Sequence, residues 1–244
     1  MESKKNVFVT GASRGIGKAI ALGFAREGWN VAVNASRSLE ELERTRREVE
    51  ALGASCLYLP GDVSDFDQVG EMHSRILASF GQLDALVHNA GVAHYGLLTD
   101  LPPGEWHRIL STNLTSAYNL SHHIIPGMVR RQSGSIVFIS SIWGVHGASC
   151  EAAYAASKGG LNALAKSLSK ELGPSGIRVN AILCGGIDTA MNAHLSPEEV
   201  RMFNEGVSLG RMGTVEEIAE MACFLSSGKA SYITGALLPV DGGY

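Results

Sequence analysis

Thr10-Gly11-Ala12-Ser13-Arg14-Gly15-Ile16-Gly17 closes a short apolar run, 6–10, and opens a segment of helical periodicity, 15–27. The glycine spacing is G-x-x-x-G-x-G. It differs from the G-x-G-x-x-G dinucleotide fingerprint but can do the same work. Glycines allow a tight turn and let a pyrophosphate approach the free N–H groups at a helix start. In isolation the loop also fits a plain strand-to-helix turn. Its place after a first strand and before a first helix favours ligand binding. Gly11, Ser13, Arg14, Gly15, Ile16 and Gly17 are therefore candidate cofactor contacts.

The same alternation runs through the chain. Further β-rich runs lie at 30–35, 56–60, 85–88, 135–140, 178–183 and 236–240. Helical patterns cover 39–52, 66–80, 105–131, 152–172 and 215–226. Most of the β runs are continuously apolar, as in parallel strands covered on both faces. The rhythm predicts one α/β domain over 1–244, a Rossmann-type three-layer sandwich with a doubly wound parallel sheet. Residues 187–213 form one long irregular insert with a short helix at 197–205. Beyond a strand's carboxyl end, such an insert reads as a substrate lid.

Composition narrows the function. The 244 residues are 45% apolar and 18% charged, enough for a sizeable core and too few charges for disorder. A net charge of −4 without a basic block argues against a nucleic-acid partner. Cys56, Cys150, Cys184 and Cys223 are far apart and suit a reducing cytosol. Neither a signal peptide nor a membrane-length apolar stretch is read, so a cytoplasmic chain without a membrane partner is expected. The eight histidines form no metal-binding pattern.

The end of the second strand bears on cofactor choice. An acid there would bind the ribose hydroxyls of NAD. The segment reads Val33-Asn34-Ala35-Ser36-Arg37, without one. Arg37, with Arg14, suits the 2′-phosphate of NADP(H), because guanidinium donates two parallel hydrogen bonds. Both arginines could equally be solvated. Asn34 and Ser36 join the candidate contacts. So do Asp62-Val63 after the third strand and Asn89-Ala90-Gly91 after the fourth.

Tyr154 and Lys158 stand four apart in Tyr-Ala-Ala-Ser-Lys, which puts phenol and ammonium on one helix face. A nearby cation favours phenolate, and a tyrosine so tuned can trade a proton with an alcohol or ketone. The pair alone also fits a surface helix.

Together these pieces resemble the short-chain dehydrogenase/reductase family over essentially the full chain. The motifs are the Thr-Gly-x-x-x-Gly-x-Gly loop, Asn89-Ala90-Gly91, Asn113, Ser141, and Tyr154 with Lys158. The resemblance implies a seven-stranded parallel sheet. It implies that Tyr154 donates the proton and Ser141 hydrogen-bonds the substrate carbonyl. Lys158 holds the nicotinamide ribose and lowers the tyrosine pKa, and Asn113 supports a water-linked proton path to that lysine. It further implies a homotetramer paired through 105–131, 152–172 and the last strand. Ile187 and Thr189 fall where that family contacts the cofactor. One departure is Cys184-Gly185-Gly186-Ile187-Asp188-Thr189, where the family has Pro-Gly. Gly185 replaces the proline, and the glycine pair predicts a flexible loop.

For substrate, the chain looks most like β-ketoacyl carrier-protein reductases, and acyl-carrier protein becomes an expected partner. Gln132 and Ser175, however, occupy the positions of the carrier-docking arginines, with Arg130, Arg131 and Arg178 nearby. The stretch 140–151, together with 187–192, also resembles the reductase of a 5-aminopentanone on a lysine of elongation factor P. Glu151 would suit an ammonium there; it equally reads as an ordinary acid at a helix start. Trp143, Glu151 and Gly186 are the substrate candidates, with Tyr95 a further pocket residue. A non-catalytic dinucleotide sensor or scaffold is the alternative from another class, and an NAD-linked alcohol dehydrogenase a third reading.

Overall fold

The computed structural model describes residues 4–190, 192 and 196–244. Seven strands form the sheet: β1 (Asn6–Val9), β2 (Asn30–Ala35), β3 (Cys56–Pro60), β4 (Ala85–His88), β5 (Gly134–Ser141), β6 (Ile177–Cys184) and β7 (Leu237–Val240). All are parallel, in the order β3-β2-β1-β4-β5-β6-β7. Parallel neighbours need crossovers, and the long helices supply them.

Strand parity divides the core into two layers. Val7, Val9, Val31, Val33, Val137 and Ile182 face α1 (Gly15–Arg26), α2 (Leu39–Ala51) and α9 (Val215–Ser226). Phe8, Ala32, Leu86, Ile136 and Phe138 face α3 (Phe66–Phe80), the helix at Ser116–Arg131 and the helix at Ala152–Leu172. Successive side chains point to opposite faces, so both faces demand apolar residues. That is why the strands read as continuous apolar runs.

The helix expected over 105–131 is divided. It comprises α4 (Pro103–Leu110), a π turn at Ser111–Thr115 and α5 (Ser116–Arg131). The wider turn carries Asn113 into the interior, where its side chain bonds Val92 and Ser157. Such turns recur at functional sites. A four-residue helix, α6 (Trp143–His146), follows β5 and precedes α7 (Ala152–Leu172). α8 (Pro197–Glu205) lies within the insert and begins with a Ser196–Glu199 capping box.

The chain reverses its winding between β1 and β4. Ligands of open α/β sheets bind at the carboxyl ends beside such a switch point. Thr10, Asn89, Ser141 and Gly185 all stand at those ends.

Candidate active site

The loop after β1 is shaped to admit a phosphate. Gly11 has a φ of 62°, in the left-handed region, and a Cβ on Gly17 would lie 2.2 Å from the Gly11 carbonyl oxygen. No side chain caps the start of α1, whose N-cap is Arg14. The N–H groups there can therefore serve an anion. Thr189 closes over the loop, its Cγ2 3.8 Å from where a Gly15 Cβ would stand. These residues fit a dinucleotide pyrophosphate.

Other expected contacts have side chains that bond or pack within the protein. Asn34 is buried, and its amide donates to the carbonyls of Leu59 and Gly61, each at 2.9 Å. It shares strand parity with Ala32, so it faces the α3 layer rather than a ligand. Val63 and Ile187 put their side chains into the two cores. Asn89 donates from its amide to the Thr10 and Gly11 carbonyls, at 3.1 and 3.0 Å, and so clamps the loop from behind. Asp62 accepts from the backbone and hydroxyl of Ser64 in a local turn. Arg14, Ser36 and Arg37 remain on the solvent side; the Arg14 guanidinium is 3.9 Å from Glu41, with its side chain 64% exposed.

The four catalytic candidates converge. Ser141 ends β5, and its hydroxyl accepts from the Trp143 N–H at 3.1 Å. Tyr154 and Lys158 share one face of α7, the ammonium 5.6 Å from the phenol ring centre. Asn113 Oδ1 and Lys158 Nζ both approach Gly91, 3.4 and 3.5 Å from where its Cβ would be. Gly91 thus keeps open the space over which they meet. Asn113 Nδ2 donates to Ser157 Oγ at 3.0 Å, tying the π turn to α7.

Electrostatics correct one expectation. Burial pushes the Tyr154 phenol above its ordinary value, and Cys184 and Glu151 act in the same direction. Its hydrogen bond with Ser141 pulls it partly back. Lys158, expected to lower it, is not among the groups that shift it; its ammonium donates to the Ile139 carbonyl, 2.8 Å away. Lys158 is itself 4% exposed, and burial brings it down to about 8. The phenol therefore stays protonated at neutral pH, in the form that can donate a proton.

The Gly185–Gly186 pair also departs from expectation. It is packed, not loose. A Cβ on Gly185 would lie 2.7 Å from Asp241 Cα, and one on Gly186 would lie 2.3 Å from the Phe203 ring. The Gly185 N–H donates to the Val240 carbonyl at 3.1 Å. The chain after β7 thus fills the space a proline ring would need. Beyond it, Tyr244 stacks on Phe203 of α8 at 5.2 Å and meets Trp143 edge-on at 5.3 Å. A bridge from Ile187 to Gly213 closes the base of the 187–213 insert. Met191, within the expected 187–192 stretch, lies outside the described residues. Phe203 and Tyr244 were not among the expected pocket residues, since nothing local marks them.

Glu151 occupies the N-cap of α7, yet its side chain makes no capping hydrogen bond. Tyr95 is exposed and hydrogen-bonds Cys150. Among the described residues no cluster suits a metal, and no helix is long and apolar enough to cross a membrane.

Comparison with known proteins agrees with this geometry. A family model described as enoyl-(acyl carrier protein) reductase matches residues 11–244. The 3-oxoacyl-[acyl-carrier-protein] reductase FabG of Staphylococcus aureus is 40% identical over 243 residues, 100% of this chain and 99% of that protein. That of Chlamydia muridarum is 42% identical over 239 residues, 98% of this chain and 96% of that protein. The uncharacterized oxidoreductase YmfI of Bacillus subtilis is 39% identical, covering 98% of each chain. The crystal structure of an NAD+-bound xylitol dehydrogenase superposes with a TM-score of 0.93 at 30% identity, covering 100% of both chains. With its switch-point glycine loop and its converged Asn113, Ser141, Tyr154 and Lys158, the chain belongs to the short-chain dehydrogenase/reductase family, oxidoreductases that work with a nicotinamide dinucleotide.

Proposed function

We propose that this protein reduces a 3-oxoacyl group, carried on acyl-carrier protein, to the secondary alcohol with NADPH. The observation that carries the direction is the buried Tyr154 phenol hydrogen-bonded to Ser141, since burial favours its neutral, proton-donating form. Ketone reduction needs an acid at the developing alkoxide, whereas alcohol oxidation needs a base. When bound, the dinucleotide supplies the hydride. Ser141 accepts from the Trp143 N–H and hydrogen-bonds the Tyr154 phenol, so a carbonyl oxygen that takes the place of this second bond meets both hydroxyls. Tyr154 then delivers its proton to that oxygen. Lys158 lies one helical turn beyond Tyr154 and is placed to hold ribose hydroxyls.

The substrate part rests on the relatives, which are named for 3-oxoacyl carrier-protein reduction and match along the whole chain. The NADPH part rests on Arg14 and Arg37, both on the solvent side at the adenosine end. We further propose a cytosolic homotetramer paired through α4, α5, α7 and β7.

A second reading is supported by Glu151 and the lid. Glu151 makes no side-chain capping bond to α7 and is close enough to raise the Tyr154 pKa. α8 carries Glu198, Glu199 and Glu205 against Arg201 alone. An acidic helix in the insert suits an ammonium better than an acidic carrier. Gln132 and Ser175 precede β5 and β6, at the end of the sheet opposite Ser141. The Arg131 and Arg178 guanidiniums serve backbone carbonyls. On this reading the ketone is an aminopentanone on a lysine of elongation factor P. Side-by-side kcat/KM values for a 3-oxoacyl thioester and an aminoketone-bearing protein, each with NADPH and NADH, test both. Faster turnover of the aminoketone overturns the first reading, and equal use of both cofactors overturns the NADPH assignment.

A further inference from the structure

His88 is buried, at 1% exposure, and no step above uses it. It ends β4, between the glycine loop of β1 and the π turn that carries Asn113. Its Nδ1 lies 3.0 Å from Thr10 Oγ1. Its Nε2 lies 3.0 Å from Ser116 Oγ and 3.4 Å from the Asn113 carbonyl.

The neighbours decide where the protons sit. Thr10 Oγ1 accepts from the N–H groups of Asn89 and Ala90, each at 3.1 Å. Both lone pairs are then used, so the Thr10 hydroxyl donates to His88 Nδ1. Ser116 Oγ donates to the Thr112 carbonyl at 2.5 Å, so it accepts from His88 Nε2. The ring is neutral, with its proton on Nε2. Burial and the nearby Lys158 charge hold its pKa down to about 3, in keeping with this tautomer. An imidazolium would point a second N–H at Thr10, which has no acceptor left.

The chain of donors continues. Asn113 Nδ2 donates to Ser157 Oγ at 3.0 Å, and Ser157 Oγ donates to the Tyr154 carbonyl at 2.7 Å. Two sets of hydrogen bonds, joined covalently through the π turn, therefore link the end of β1 through His88 to the helix of Tyr154 and Lys158. We propose that His88 is a positioning residue: its Nε2–H imidazole is the strut that fixes the glycine loop and the Asn113 turn relative to each other, and so sets the dinucleotide against Tyr154 and Lys158. Geometry at this spacing matters, because small displacements of positioned groups cost large factors in rate.

Two variants separate the ends of the strut. In His88→Asn the amide oxygen takes the place of Nδ1 and still accepts from Thr10, while the link to Ser116 and Asn113 is lost. In His88→Gln the amide nitrogen takes the place of Nε2 and still donates to Ser116, while the link to Thr10 is lost. Dissociation constants for NADPH and NADH, kcat with a 3-oxoacyl thioester, and thermal midpoints would be measured for each. His88→Asn should keep dinucleotide affinity within about threefold and lose kcat about tenfold. His88→Gln should weaken the dinucleotide about tenfold and lose less kcat. Ring-nitrogen NMR of the parent should show the proton on Nε2. A proton on Nδ1 overturns the proposal. So do variants whose affinity and kcat fall together in step with the folded fraction, or stay within twofold of the parent. If the parent does not turn over the thioester, the substrate reading fails instead, and the affinity and NMR results still decide His88.

Discussion

Replacing Lys158 with methionine should destroy activity and yet relieve the fold. The ammonium is 4% exposed with one backbone acceptor, Ile139. Its pKa falls from 10.5 to about 8, with burial as the cause. That difference amounts to roughly 3 kcal/mol of charging cost in the cofactor-free protein. The folded pKa lies below the unfolded one, so the cost is full below about pH 8 and disappears as pH rises through 10.5. Methionine keeps the stem and removes the charge, but it leaves the Ile139 carbonyl unpartnered, a loss of about 1–3 kcal/mol. Near pH 6.5 the two effects nearly cancel or favour Lys158→Met. Near pH 10 most of the charging cost is gone, the lost hydrogen bond dominates, and the variant becomes the less stable protein. For a chain of this size the melting-point difference should move by about 5–10 °C between those pH values. Circular-dichroism melts of both proteins without cofactor measure it, and other titrating groups cancel in the difference. A melting-point difference equal at both pH values refutes the idea that Lys158 is a strained buried charge.

Tyr154→Phe should lower turnover by at least ~10²-fold while dinucleotide affinity stays within a few-fold, because the lost group is the proton donor; turnover within a few-fold of the parent removes Tyr154 from that role. Gly185→Pro, which restores the family's usual residue, should destabilise by about 2–4 kcal/mol through overlap with Asp241 and loss of the bond to Val240. A parent-like urea midpoint would mean that the chain after β7 moves aside freely. Glu151→Gln should raise KM for an aminoketone by about three- to tenfold and spare a neutral ketone of similar size; equal losses on both would make Glu151 structural.

Much of the fold was legible because it is written locally. Apolar runs such as 30–35 and 85–88 match β2 and β4 residue for residue. The four catalytic candidates were picked out by their motif, and the structure brings them together in space. Asn34 was misread, although period-two parity with Ala32 already pointed it into the core. Gly185 suggested looseness because its real neighbour, Asp241, is remote in sequence. His88 drew no notice for the same reason. Its partners come from β1 and from the π turn, and a pattern of single residues carries no sign of such a meeting. The phenol pKa went the other way because of burial, a tertiary property that a spacing of four residues does not show.

The reversal of winding at β1 also governs how the chain assembles. β1 can pair with β2 once some two dozen residues have followed it, but its other neighbour is β4, and the bond from Thr10 to His88 spans 78 residues. Contacts of such separation carry a higher loop-closure cost and form late. A nascent chain can therefore complete β1 to β3 as an early unit while the catalytic crevice does not yet exist. Recovery of dinucleotide binding should be among the last signals to return on refolding, well after helix content, and that makes it a sensitive report of native assembly.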